Sequence, residues 1–258
     1  MHIICNADPN EVQVWSRIKV DALFDNYRIQ SNANNEITMA LASEALLGAL
    51  KSASSSSTSS TSFDAEEVVM KLAKKGDQAL LSFEILGQTR SGQRVRVAHD
   101  VKIEVLKPTD VEKMTEPLCP KADLLILLPP LQKLRTIVER LHHMSDVMAI
   151  QANNNKRLLL TIRTEGVNIE TEWKDCQNPA VQNEDPDDEP PDPDKLFTVL
   201  ISTKSFLKFL NSHVVSTTTI ASVCQHHCVI LYVYIGDVAD AGGVLTFYIP
   251  AIIDDEGR

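Results

Sequence analysis

Cys224 and Cys228 bracket two histidines in the run ASVCQHHCVILYVYI (221–235). Thiolate sulfur and neutral imidazole nitrogen both bind zinc, and two cysteines this close also raise a redox pair. A tetrahedral zinc site needs four ligands converging at roughly 2.0–2.3 Å. The flanking segments STTTIASVC and CVILYVYI are rich in β-branched and aliphatic residues and read as strands, which makes QHH (225–227) the turn of a hairpin. His226 and His227 then sit at the exposed tip and the cysteines oppose each other across its base. One tight turn cannot wrap neighbouring side chains around an ion, so a plain hairpin is expected rather than a zinc site. A disulfide is expected less still in a reducing compartment.

Other constellations are weaker. His142 and His143 close a helical segment, where imidazole complements the C-terminal dipole or meets solvent. The acidic run NEDPDDEPPDPDK (183–195) lacks the glycine-centred spacing of a calcium loop and is read as a solvated loop. The nine glycines form no phosphate-cradling G-x-x-x-x-G-K-[ST] or G-x-G-x-x-G, and neither G-x-S-x-G nor H-E-x-x-H occurs. The expectation is a non-enzyme without metal or cofactor.

The elements that carry these residues follow from pattern and punctuation. The chain has 258 residues, 43 % hydrophobic and 23 % charged, enough for one large or two ordinary domains. Net charge is −10, which argues against a surface basic all over, yet 183–195 alone supplies −6 of it and leaves room for local basic faces. Five scattered cysteines fit a reduced intracellular protein, and the N-terminus MHIICNADPN shows no basic-then-apolar leader. No apolar run approaches the roughly 20 residues that cross a bilayer, and no membrane partner is expected. The Ser/Thr tract at 52–62 reads as a loop insertion, and 107–122, with Pro108, Pro117 and Pro120, reads as a connector between lobes 1–106 and 123–258.

Strand-like alternation falls at 11–20, 36–43, 79–86, 94–106, 122–128, 157–163, 166–174 and 196–202. Helical periodicity appears three times, each directly after a strand: MALASEALLGALKSA, LLPPLQKLRTIVERL and VLISTKSFLKFLNSH. Leu46, Leu47 and Leu50 form the first apolar stripe, Leu131, Leu134, Val138 and Leu141 the second, Phe206, Leu207 and Leu210 the third. A strand–helix–strands unit therefore recurs about three times, an α+β arrangement in which short helices bury one face on antiparallel sheet.

The opposite helix faces must meet something else. The second helix presents Lys133, Arg135 and Arg140 against Glu139, the third Lys204 and Lys208 with no acid, and the first ends in Lys51. Basic helix faces in an acidic protein are the footprint of a localised phosphate-facing surface, with ordinary solvated faces as the alternative. No base-reading module accompanies them, so DNA contact would be independent of sequence.

The repeated units and the Pro-rich connector resemble sliding-clamp subunits of the PCNA type. VQVWSRIKVDALFDNYRIQSNANNEITMALASEALLGALKSA, VRVAHDVKIEV, EPLCPKADLLILLPPLQKLRTIVERLHHMSDVMAI and LTFYIPAI more specifically resemble the Hus-one/Mec-three subunit of the heterotrimeric checkpoint clamp, the 9-1-1 complex. The resemblance implies the DNA-clamp (PCNA-like) fold, two lobes of antiparallel sheet with the helices on one concave side. It also implies four strand–helix–strands units, whereas this chain shows three helices and begins inside the first. The function implied is that of a subunit that encircles double-stranded DNA without sequence specificity. Its partners would be two other subunits of the same fold, an ATP-dependent loader, and checkpoint and repair proteins in the nucleus. Lys51, Lys133, Arg135, Arg140, Lys204 and Lys208 become the DNA-facing candidates. Subunit edges fall on 94–105, with Val95, Val97, Val101 and Ile103, and on 166–174, with Val167, Ile169 and Thr171. A self-trimerising replicative clamp and a clamp-derived scaffold that does not encircle DNA are the alternatives.

Overall fold

The computed structural model describes residues 1–5, 11–53, 63–89, 91–179, 192–236, 238 and 241–253. The expected Ser/Thr insertion, from residue 54 on, and the acidic loop up to 191 lie outside the described residues.

Strands β1 (His2–Cys5) and β2 (Gln13–Ile18) come first, and then one motif occurs three times: a strand, a helix, three strands. The first copy is β3 (Met39–Leu41), α1 (Ser43–Ala53), β4 (Phe63–Lys75), β5 (Gln78–Thr89) and β6 (Arg94–Val105). A one-turn helix, α2 (Pro108–Val111), leads towards the second, in which β7 (Leu124–Leu127), α3 (Leu131–His142), β8 (Val147–Ala152), β9 (Leu158–Arg163) and β10 (Asn168–Trp173) follow in order. The third is β11 (Phe197–Ser202), α4 (Thr203–Leu210), β12 (Thr218–Cys224), β13 (Cys228–Ile235) and β14 (Gly243–Pro250). The recurring unit and the α+β class read from the sequence are both present.

The chain divides into two compact units, Arg28–Thr115 and a second body made of Met1–Tyr27 with Glu116–Arg258. One break, after Thr115, falls inside the expected connector; the other, after Tyr27, falls inside the expected lobe 1–106, which is therefore not one contiguous unit. Backbone pairing explains why: β2 adds to β14 over six residue pairs, from Gly243↔Ile18 to Tyr248↔Gln13. Gly243 permits the approach, since a Cβ there would meet Arg17 O at 3.1 Å.

In the unit Arg28–Thr115 the antiparallel sheet runs β3-β6-β5-β4. Strand β4 is absent from the expected strands. It forms because Gly76, at φ +59°, turns the chain so that Lys75 pairs with Gln78 and β5 becomes its template. Helix α1 sets Leu46 and the buried Ala49 over Leu81, Phe83, Val101 and Ile103. The expected stripe is only partly used: Leu47 and Leu50 are 50 % and 48 % exposed. The only other helix described in this unit, the one-turn α2, does not pack extensively on α1.

The other unit holds a six-stranded sheet, β1-β2-β14-β13-β12-β7, and a four-stranded sheet, β10-β9-β8-β11. Helices α3 and α4 pack side by side on their common core. Leu131, Leu134, Val138 and Leu141 are all buried, at the i, i+3, i+7 and i+10 positions of one helix face. Phe206, Phe209 and Leu210 do the same for α4, and Leu207 packs at the margin. Ser202 caps α4, its hydroxyl accepting from Ser205 N at 3.3 Å.

Candidate nucleic-acid interface and strand edges

On α3, burial of the leucine stripe turns Lys133 and Arg140, seven residues apart and so on one stripe, to the exposed side. On α4, Lys204 and Lys208 share the exposed face one turn apart. Arg135 stands apart from these: it is half-buried and its Nε donates to Glu139 Oε1 at 2.8 Å. Lys208 is also compensated, donating to Glu11 Oε2 at 2.6 Å. Among the described residues no ion pair is recorded for Lys133, Arg140 or Lys204. Lys51 lies exposed in the last turn of α1, in the other unit. Of the six candidates the structure brings together the five on α3 and α4 and leaves Lys51 on a separate body. The Glu11–Lys208 pair joins residues 197 apart, and sequence reasoning had no signal for it.

The edge candidates sort by backbone pairing. Strand β6 pairs with β5 through 94–102, while β3 takes its other side only at 103–105. Residues 94–102, including Val95, Val97 and Val101, therefore have one side without a strand among the described residues. Ile103 departs from the expectation: Leu41 is its partner across that side, and its side chain is 4 % exposed in the core. Among the described residues β10 is the outermost strand of its sheet, and Ile169 and Thr171 pair only with β9. Val167 precedes it, 47 % exposed.

Charge steadies both strands. Glu84 on β5 accepts from Lys71 on one neighbour and, at 2.8 Å, faces Arg96 on the other; Lys71 first and Arg96 second hold its carboxyl below the usual range. On β10, Arg157 Nε donates to Glu172 Oε1 at 2.5 Å and lowers the Glu172 carboxyl likewise.

The 224–228 segment is a hairpin, with Cys224↔Cys228 as register partners and His226 and His227 exposed at the turn. His226 takes φ +62°, and Gln225 N donates to Asp123 Oδ2 at 2.7 Å, which ties the turn to the residue before β7. No group of three or more His, Cys, Asp or Glu suited to a metal is found among the described residues. One neighbour escaped the sequence reading: Cys119, 105 residues before Cys224, packs against Cys224, Cys228 and Ile230.

This architecture is that of a DNA-clamp (PCNA-like) protein. The solved structure of proliferating cellular nuclear antigen from Entamoeba histolytica superposes with a TM-score of 0.63 over 98 % of this chain and 85 % of that one, at 15 % identity. At the sequence level the family model described as "Hus1-like protein" matches residues 1–253. Checkpoint protein hus1 of Schizosaccharomyces pombe is 32 % identical over 249 residues, covering 94 % of this chain and 84 % of that protein. Checkpoint protein HUS1 of Homo sapiens is 29 % identical over 255 residues, covering 97 % and 85 %. The chain belongs to the Hus1-like family and is a Hus1-type subunit of the 9-1-1 checkpoint clamp.

Proposed function

We propose that this chain is a non-catalytic member of a ring of three different subunits that encircles double-stranded DNA in the nucleus. It meets two other subunits of the same fold, one through the open side of β6 at 94–102 and one through β10. The observation that carries this is the open side of β6 at 94–102 and of β10, two of the strand edges left unpaired among the described residues. An edge presents a row of free N–H and C=O groups, and a partner strand satisfies them. Two such edges allow two neighbours. The solvent-facing stripes of α3 and α4 support the second half of the reading. Lys133, Arg140 and Lys204 attract phosphate without contacting base edges, which suits a body that must slide. An ATP-dependent loader would place the ring, and checkpoint and repair proteins would use it as a platform.

Mixing the chain with its two candidate neighbours and measuring mass by light scattering tests the assembly. A 1:1:1 complex is expected. Val95→Lys should lose one neighbour and keep a binary complex with the other, and Val167→Lys should lose the opposite one. A chain that stays monomeric beside both neighbours, or self-trimerises, refutes the reading.

A further inference from the structure

The sheet of the unit Arg28–Thr115 has an open edge that the ring does not use. Strand β4 ends the order β3-β6-β5-β4 and has a neighbouring strand on one side only among the described residues. It runs over 13 residues without a proline, and from Glu67 to Lys75 its pairing with β5 is regular. Val68, Val69, Met70 and Leu72 are each between 37 % and 45 % exposed, so both faces of the strand carry uncovered apolar surface. Natural edges are guarded by prolines, bulges or repelling lysines. In the stretch 67–75 lysine is the guard, and a lysine repels only a partner that lacks an acid opposite it.

The charges on β4 are ordered: Asp64, Glu66 and Glu67 lie in its first half, Lys71, Lys74 and Lys75 in its second. An antiparallel second copy reverses that order and brings acids to lysines. The ladder restricts the register. Gly76 and Asp77 form a two-residue turn, so Lys75↔Gln78 is a hydrogen-bonded pair, and every second residue back to Glu67 bonds to β5. The N–H and C=O groups of Val68, Met70 and Leu72 therefore point away from β5. A two-fold axis at Val69 joins Val68 to the second copy's Met70 through these groups and sets the two Val69 side chains together. It also places Glu67 opposite the second copy's Lys71, twice. An axis at Lys71 would instead face lysine with lysine. Lys71 already pairs with Glu84, but Arg96 holds that carboxylate as well, so Lys71 can turn to the incoming acid without stranding it. Val68, Met70 and Leu72 pair with Ile85, Phe83 and Leu81, on the side of the sheet that α1 covers, where Leu47 and Leu50 are half-exposed. Pairing thus extends one apolar layer from copy to copy.

We propose that β4 is a self-association edge, at which a second copy of this chain adds its own β4 antiparallel about Val69 and merges the two sheets. The contact is isologous, so it closes at two copies. It goes beyond the ring reading and does not depend on it, because the open side of β6 and β10 stay free in the pair. The 1:1:1 proportion of the ring holds whether rings stand singly or are joined in twos.

Sedimentation velocity of the full chain alone, over a range of concentrations, tests this. The parent should dimerise as concentration rises. Glu67→Lys leaves only lysines flanking Val69 and Lys71→Glu leaves only acids, so each variant should raise its dimer dissociation constant about tenfold or more. An equal mixture of the two variants should dimerise to within a few-fold of the parent, since each presents the charge that the other lacks; that recovery also shows both to be folded. A monomeric parent, variants that dimerise like the parent, or a mixture that fails to recover overturns the proposal. Glu67→Lys should still enter the ring with its two neighbours, and loss of ring assembly would give β4 to one of them and overturn the proposal too.

Discussion

The phosphate-facing role of α3 and α4 leads to a salt dependence whose size follows from the ion pairs. Lys133, Arg140 and Lys204 are exposed and, among the described residues, outside any recorded ion pair. Each phosphate such a cation neutralises releases condensed counterion and adds about 0.9 to the slope of log affinity against log salt. Replacing all three by alanine should therefore lower the slope by about 2.7. Between about 50 and 200 mM salt that difference amounts to a ~40-fold narrowing of the gap between parent and variant. Arg135 and Lys208 already rest on Glu139 and Glu11, so the double variant Arg135→Ala/Lys208→Ala should change the slope by less than about 1. The assay is fluorescence anisotropy of a labelled open-ended duplex with the assembled clamp, repeated on a duplex of unrelated sequence. All five substituted positions are solvent-side or half-buried, and circular dichroism of each variant checks that folding is intact. An unchanged slope in the triple variant, or an equal loss in the double variant, refutes the assignment of these stripes to DNA.

Leu134→Ala, at a fully buried position of α3, should destabilise by about 2–5 kcal/mol, whereas Leu47→Ala, half-exposed on α1, should cost under about 1 kcal/mol. Both tryptophans, Trp15 and Trp173, belong to the unit with α3, so urea denaturation followed by tryptophan fluorescence reads the first change and is blind to the second. Gly243→Ala should lower the unfolding free energy read by the same fluorescence by about 1–3 kcal/mol, because its Cβ would press on Arg17 O of the neighbouring strand. Glu84 should titrate below the ordinary glutamate range in carbon-detected NMR, held down by Lys71 first and Arg96 second. Its folded value is depressed, so its contribution is present above the unfolded value and disappears as pH falls through the folded one; Glu84→Gln should remove that part of the acid dependence.

Helices α3 and α4 were legible because their apolar residues repeat with the helical period and their cores are complete. The same rule misjudged α1. Leu46, Leu47 and Leu50 have the spacing of a buried stripe, but burial requires something on both flanks of the helix. Helices α3 and α4 supply a flank to each other, and α1 has no such neighbour among the described residues of its unit. Periodicity states which face is apolar and leaves open how much of it is covered. Strand β4 was illegible for a different reason. FDAEEVVMKLAKK mixes acids, lysines and an unalternating apolar centre, and only the turn at Gly76 and the pairing of Val68, Met70 and Leu72 with Ile85, Phe83 and Leu81 make it a strand.

The candidate site divides along the same line between local and non-local information. Charge on a helix face is local, and the sequence located Lys133, Arg140 and Lys204 from their neighbours alone. Compensation of charge is not local, since Glu11 reaches Lys208 only because β2 joins the sheet beside β14 and the chain before it passes α4. The thiols follow the same logic. Spacing within 224–228 gave the hairpin, but Cys119 enters from a segment with no periodicity at all. Its arrival packs a third cysteine against two that are buried under a turn. The surroundings of a pair of cysteines therefore depend on a residue that no spacing rule connects to them.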